Sequence, residues 1–267
     1  MTEQSHTPLP ELKIQIEGNT GWLVIANEKR RNAMTLEMWR ALPAAVSALE
    51  AERGVRAIVL RGAGSETFCA GADISEFEET RKDAQAARAY EDVNLAAFEA
   101  LKACRKPVIA MIRGHCLGGG FGLAASCDLR LASHGSSFGI PAARLGIAYP
   151  PAALMDVAAL IGPARTRELI FTARRIEADE AMHWGFLNQL LEDSTLEAEA
   201  RRLAATIAQN APLTHAATKT ALTIPAGHST PDHEKAEAAA IACFDSADFV
   251  EGRTAFLEKR NPVFRGA

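Results

Sequence analysis

At 267 residues, 48% of them hydrophobic, the chain is long enough for one large domain, or one domain with a smaller helical appendage. A net charge of −4 gives no footprint for nucleic acid or an anionic membrane surface, and no apolar run approaches the ~20 residues of a membrane span. The five cysteines (Cys69, Cys104, Cys116, Cys127, Cys243) are odd in number and form no C-x-x-C pair, which argues for reduced thiols in a cytoplasmic protein rather than disulfides or zinc.

Met1 to Pro10 is polar, lacks the apolar centre of a signal peptide and is expected to be a disordered tail. Leu12–Ile16 and Trp22–Ala26 then predict a β-hairpin around Glu17-Gly-Asn-Thr-Gly21. Thr35 is the N-cap of a helix to about Arg53, with Met38, Leu42, Val46 and Leu49 on one face and Pro43 expected to kink it. Arg56–Arg61 predicts a strand, Ala84–Cys104 a long helix, and Pro107 opens the next strand. Gly118–Ser126 reads as a glycine-led helix and Asp128–Ser133 as a strand. Beyond Tyr149 the pattern is mostly helical: Ala152–Ile161, Ala164–Phe171, Leu196–Gln209, Leu213–Leu222, Asp232–Asp245 and Phe249–Lys259. Pro163, Pro212 and Pro231 each stand where a helix can start.

Two Gly-rich segments carry the chemistry. Phe68-Cys-Ala-Gly-Ala-Asp-Ile74 follows the apolar run Ile58–Leu60, and Gly114-His-Cys-Leu-Gly-Gly-Gly-Phe-Gly122 follows Val108–Ile112. Glycine lets the backbone approach a ligand closely, so two such loops can aim two N–H groups at one developing oxyanion.

Other motifs compete with that reading. Gly120-Phe-Gly122-Leu-Ala-Ala125 fits a relaxed dinucleotide fingerprint, but the next strand ends in Leu131-Ala-Ser-His134 with no acid for a ribose. Gly135-Ser-Ser-Phe-Gly139 fits a nucleophile elbow around Ser137, but Ile140-Pro141 follows in place of a helix, as expected of a polar turn leading into a short strand. The seven histidines show no metal-ligand spacing. Lys29, Arg30 and Arg31 could hold phosphates or simply face solvent. Glu76, Glu78 and Glu79 follow the first loop on a helix, as a solvated face or as the source of a general base.

Taken together, FCAGADI, GHCLGGGFGLAASCDLRLAS, SFGIPAARLGIAY and EGRTAFLEKRNPVF resemble the crotonase, or enoyl-CoA hydratase/isomerase, superfamily, in its order and spacing from about Leu12 to Phe264. The resemblance implies an α/β fold, a spiral of βα units over 11–200 after the 1–10 tail, and a C-terminal α-helical trimerisation region over 201–267. It implies an acyl-CoA thioester substrate, no separate cofactor, no metal, and a homotrimer or a hexamer made as a dimer of trimers. Ala72 and Gly119 would supply the oxyanion hole. Arg31, Ala70, Asp73, Ile74 and Lys259 would hold the CoA moiety, Lys259 from a neighbouring subunit in one arrangement.

The chain also departs from the family. The two glutamates of the hydratases match Gly122 and Ala142, and a later carboxylate position of some isomerases matches Pro150. An oxyanion hole alone moves no proton, so enolate chemistry is expected without assuming water addition. Leu145-Gly-Ile-Ala-Tyr149 resembles a pattern in the decarboxylase branch, which makes Tyr149 a candidate catalytic residue, or a packing residue. Asp73, Glu76 and His115 are other substitutes. The alternatives to a hydratase or isomerase are a malonyl-type acyl-CoA decarboxylase and a non-catalytic acyl-CoA-binding subunit.

Overall fold

A computed structural model describes residues 10–222, 238 and 241–267. The expected N-terminal tail and most of the helix expected over Asp232–Asp245, with Pro231, lie outside the described residues. Two sheets organise the described part. The larger contains β1 (Glu11–Glu17), β2 (Thr20–Ala26), β3 (Ala57–Gly62), β5 (Val108–Ile112), β7 (Leu129–Ser133) and β10 (Gln189–Leu191), in the order β1-β2-β3-β5-β7-β10. The smaller contains β4 (Thr67–Cys69), β6 (His115–Leu117), β8 (Ser137–Gly139) and β9 (Ile176–Glu177), in the order β4-β6-β8-β9.

β1 and β2 form the expected antiparallel hairpin, turning at Gly18-Asn19 with Gly18 at φ +56°. From β2 onward the large sheet is parallel. A parallel sheet is covered on both faces, so its strands are apolar at successive positions rather than alternating with polar ones. In β2, Leu23 and Ile25 enter one core while Trp22 and Val24 enter the other; Ile58 and Leu60 of β3 oppose Ala57 and Val59 in the same way.

Helix α1 (Leu36–Ala51) covers the first face. Thr35 caps it by accepting from Met38 N, it buries Met38, Trp39, Leu42, Val46 and Leu49, and it continues through Pro43. Helix α3 (Ala84–Ala103) packs beside it, capped by Asp83 and joined through an edge-on Trp39–Phe98 contact with ring centroids 5.7 Å apart. Each large apolar side chain buried here contributes about 1.5–3 kcal/mol. On the second face lies α8 (Asp193–Ala208), whose Leu196, Ala200 and Ala204 recur every four residues against the sheet.

The chain passes between the sheets in successive turns: β3 to β4, β5 to β6, β7 to β8. Glycines make the corners possible. A β-carbon on Gly114 would fall 1.7 Å from the Glu66 carbonyl oxygen, and one on Gly62 would fall 2.2 Å from that of Thr67. The remaining helices are α2 (Phe77–Thr80), α4 (Gly119–Ala125), α5 (Pro151–Ile161), α6 (Pro163–Thr172), α7 (Ala178–His183), α9 (Pro212–Leu222) and α10 (Ala247–Glu258).

The region after Tyr149 is not purely helical. β9 and β10 interrupt it, on either side of α7; β9 pairs antiparallel with β8, and β10 parallel with β7. These strands have two and three residues, too few for a hydrophobic period to register. Ser137 sits inside β8, so it is on no nucleophile elbow. Among the described residues, no helix is long and apolar enough to cross a membrane.

Candidate active site

The two Gly-rich segments leave adjacent strands of the small sheet, and parallel pairing of β4 with β6 carries both toward the same place. In the first, Gly71 at φ +101° turns the chain beside Met34. Met34 N–H donates to the Gly71 carbonyl (2.8 Å) and Asp73 N–H donates to the Met34 carbonyl (2.9 Å). In this parallel bridge the residue between them, Ala72, keeps its own N–H out of the pairing. In the second segment, Gly118 at φ +52° precedes α4, and Gly119 is that helix's first residue. Its N–H has no preceding carbonyl to bond, as at any helix start. Among the described residues, neither the Ala72 nor the Gly119 amide has an acceptor.

The loops also touch. A β-carbon on Gly71 would lie 3.3 Å from Gly119 N; one on Gly119 would lie 3.7 Å from Ala72 N and only 2.8 Å from the Trp39 ring. The fully buried Trp39 thus sets how closely α4 approaches, and only glycine fits.

Both loops form one wall of a cavity. Ala70, Ala72, Ile74 and Gly119 line it together with Tyr149, Ala142 and Pro150, so the structure brings seven of the residues singled out from the sequence to one place. Phe77, Phe98, Leu145 and Ile147 add apolar lining.

Gly122 explains the position of Tyr149. A β-carbon at Gly122 would fall 2.7 Å from the Tyr149 hydroxyl and 2.5 Å from the Phe98 ring. The tyrosine hydroxyl therefore stands where a side chain at 122 would begin. It donates to the Gly118 carbonyl at 3.1 Å, one residue from the Gly119 amide. Burial raises the Tyr149 pKa, which keeps the hydroxyl protonated.

The other substitute acids are committed elsewhere. Asp73 accepts from Ser75 N–H (3.0 Å) and the Ser75 hydroxyl (2.7 Å), capping the turn that follows. Glu76 accepts from Leu36 N–H at 2.7 Å, satisfying the first amide of α1. His115 Nδ1 pairs with the Ser137 hydroxyl at 2.9 Å; burial, then Arg175 and Arg31, lower its pKa. None of the three lines the cavity. Arg31 has an exposed side chain and accepts from Ala70 N–H through its carbonyl, which ties the turn after β2 to the first loop. Lys259 is exposed just beyond α10, away from the cavity lining.

Sequence reasoning missed Arg81, Glu91 and Asn94, which also line the cavity. Glu91 and Asn94 share the face of α3 that carries Phe98, at spacings of three and seven residues. The signal was polar residues on the buried stripe of an amphipathic helix. Glu91 is the one carboxylate of the cavity wall among the described residues. Among the described residues, no three His, Cys, Asp or Glu side chains converge as a metal site.

Comparison with known proteins agrees with this architecture. The family model "Enoyl-CoA hydratase/isomerase" matches residues 17–267. A short-chain-enoyl-CoA hydratase of Clostridium acetobutylicum is 34% identical over 248 residues, 92% of this chain and 94% of that one. A crotonyl-CoA hydratase of Syntrophomonas wolfei is 34% identical over 246 residues, 91% of this chain and 93% of that one. Among solved structures, an enoyl-CoA hydratase/carnithine racemase from Magnetospirillum magneticum superposes with a TM-score of 0.89 at 34% identity, covering 96% of each chain.

Proposed function

This chain belongs to the enoyl-CoA hydratase/isomerase family and is an enzyme of that broad type, a lyase or isomerase; on that premise we propose that its reaction passes through a thioester enolate held by Ala72 and Gly119. The acyl part of an acyl-CoA enters the cavity, and the thioester oxygen accepts from both amides. The observation that carries this reading is the meeting of two acceptor-free backbone N–H groups on one cavity wall. Donors fixed in advance at a developing oxyanion are worth about 100- to 1,000-fold each in rate.

The proton chemistry is that of a chain without the paired glutamates. Gly122 and Ala142 move no proton, and losing one well-placed acid or base costs about 100- to 10,000-fold. The Tyr149 hydroxyl occupies the space at Gly122. Its single proton is donated to the Gly118 carbonyl, so it reaches an enolate carbon only when the hydroxyl turns away from that carbonyl.

That placement favours decarboxylation of a malonyl-type thioester as a second, narrower reading. The bond from the α-carbon to the carboxylate breaks, its electron pair moves into the enolate beneath the two amides, and CO2 leaves. The carbon then takes the Tyr149 proton, which solvent replaces.

The test is incubation with crotonyl-CoA, a longer enoyl-CoA, methylmalonyl-CoA and ethylmalonyl-CoA, each followed by mass spectrometry and, for unchanged mass, by NMR for a shifted double bond. Loss of CO2, abolished by Tyr149→Phe, supports the narrower reading. A double-bond shift supports enolate chemistry without it. Gain of water on an enoyl thioester would overturn the assignment of proton transfer. Binding without turnover of any substrate would overturn the enolate reading in favour of a non-catalytic subunit.

A further inference from the structure

Two arginines of this chain, one buried and one half-buried, are held in opposite ways. Arg130, 4% exposed, is satisfied: its guanidinium donates to the carbonyls of Phe186 (2.6 Å), Cys127 (2.7 Å) and Ala124 (3.3 Å). Arg81 lies on the wall of the candidate active site, its guanidinium 4.5 Å from the centroid of the Tyr90 ring and 4.6 Å from that of Phe77. Its Nε is buried with no acceptor, and it has no side-chain hydrogen bond or ion pair to any described residue. The same cavity is lined by Asn94, 7% exposed, whose Oδ1 is buried and also lacks a partner.

Aromatic faces attract a cation and fix its plane, but they leave the in-plane N–H groups of the fork needing oxygen acceptors. A half-buried guanidinium whose Nε lacks an acceptor is completed by an anion reaching it from the cavity, and a planar carboxylate matches its fork with two parallel hydrogen bonds. Asn94 adds an amide whose oxygen and nitrogen can exchange places by rotation about its last bond, so it can offer a donor to the same group.

We propose that the acyl group accepted by this cavity carries a carboxylate, that Arg81 is the specificity-determining cation that receives it, and that Asn94 is a second polar contact. The substrate class is then the mono-CoA thioester of a dicarboxylic acid. The proposal rests on the reading that the acyl part of a CoA thioester enters this cavity, and on no particular reaction there. Glu91 is the internal competitor, because it lines the same cavity without pairing with Arg81.

The test is calorimetric titration of the full-length protein with succinyl-CoA, glutaryl-CoA, butyryl-CoA and free CoA. At least one of the dicarboxylic thioesters binds the wild type on the order of 10-fold more tightly than butyryl-CoA. Arg81→Met weakens that thioester on the order of 10- to 100-fold while changing butyryl-CoA by no more than about 3-fold. Arg81→Lys restores part of the loss, Asn94→Leu produces a smaller loss of the same selectivity, and Glu91→Gln keeps the preference. Equal or tighter binding of butyryl-CoA by the wild type overturns the proposal while the acyl-CoA reading stands. So does an equal loss for both classes in Arg81→Met, which would assign Arg81 to packing or to Glu91. If no CoA thioester binds at all, the acyl-CoA reading fails and the proposal with it.

Discussion

In the large sheet, β2, β3 and β5 are five to seven residues long and send side chains alternately into two cores. In the small sheet no strand exceeds three residues, yet the two loops with free amides leave its β4 and β6. The large sheet is held by side-chain burial, which tolerates local variation because many contacts share it. The small sheet sends Phe68, Cys116 and Phe138 into the main core, but it also depends on close approach of backbone to backbone, which tolerates no added atoms at a few glycines. Stability and chemistry are therefore vulnerable to different substitutions.

The sharpest way to break the small sheet is at its corner. Gly114→Ala adds a carbon 1.7 Å from a backbone oxygen that no rotamer can move, at φ +57°, where alanine is already strained. We expect destabilisation by more than about 3 kcal/mol, read as loss of the folded protein or a large fall in Tm. The matching cut in the large sheet is Leu23→Ala, which leaves a cavity at a fully buried position. It should cost about 2–5 kcal/mol in denaturant unfolding. At a temperature where the variant is folded, its kcat should be close to that of the wild type, because Leu23 lies outside the cavity wall.

A third pair of variants sharpens the comparison within the site. Gly119→Ala and Gly119→Pro both push a β-carbon against the Trp39 ring. Only proline removes the N–H, and the first position of a helix accepts its backbone angle. Proline should therefore be about 100- to 1,000-fold slower in kcat than alanine, at similar Tm. Equal rates in the two variants would remove Gly119 from the oxyanion hole.

The same division decided what could be read from the sequence. The hairpin, α1 and α3 are long enough for their periodicity to register, and Thr35 marked its helix start. β4, β6, β8, β9 and β10 have two or three residues each, and their pairing depends on strands distant in the chain. Pattern alone could not find them, except for β8, the short strand expected to follow the polar turn at Gly135-Ser136. For the candidate site, glycine spacing pointed to the backbone around Ala72 and Gly119, since their contribution does not depend on a side chain's direction. Glu91 and Asn94 were hidden because a polar residue on a helix normally reads as solvated, and only packing shows which face is buried. Arg81 was hidden because nothing in its local sequence foretells that it has no partner.

The mildest contrast is a pH effect. His115, in β6 of the small sheet, pairs with Ser137 in β8. Its pKa is lowered by burial first, then by Arg175 and Arg31, with Glu177 opposing. The unfolded chain therefore takes up its proton near the ordinary value of 6.5, while the folded protein takes it up only at lower pH. Protons bound preferentially by the unfolded state lower stability as pH falls, so His115 should cost stability below about pH 6.5 until its folded pKa is passed, and have no such effect above it. His215, also lowered by burial, contributes with the same sign and must be subtracted. Denaturant unfolding of the wild type and His115→Gln from pH 7.5 to 5 isolates the difference: the wild type should lose stability relative to the variant as pH falls through this window. Parallel curves would mean that protonation of His115 is as easy in the folded sheet as in water, and that the His115–Ser137 contact opens to solvent before it titrates.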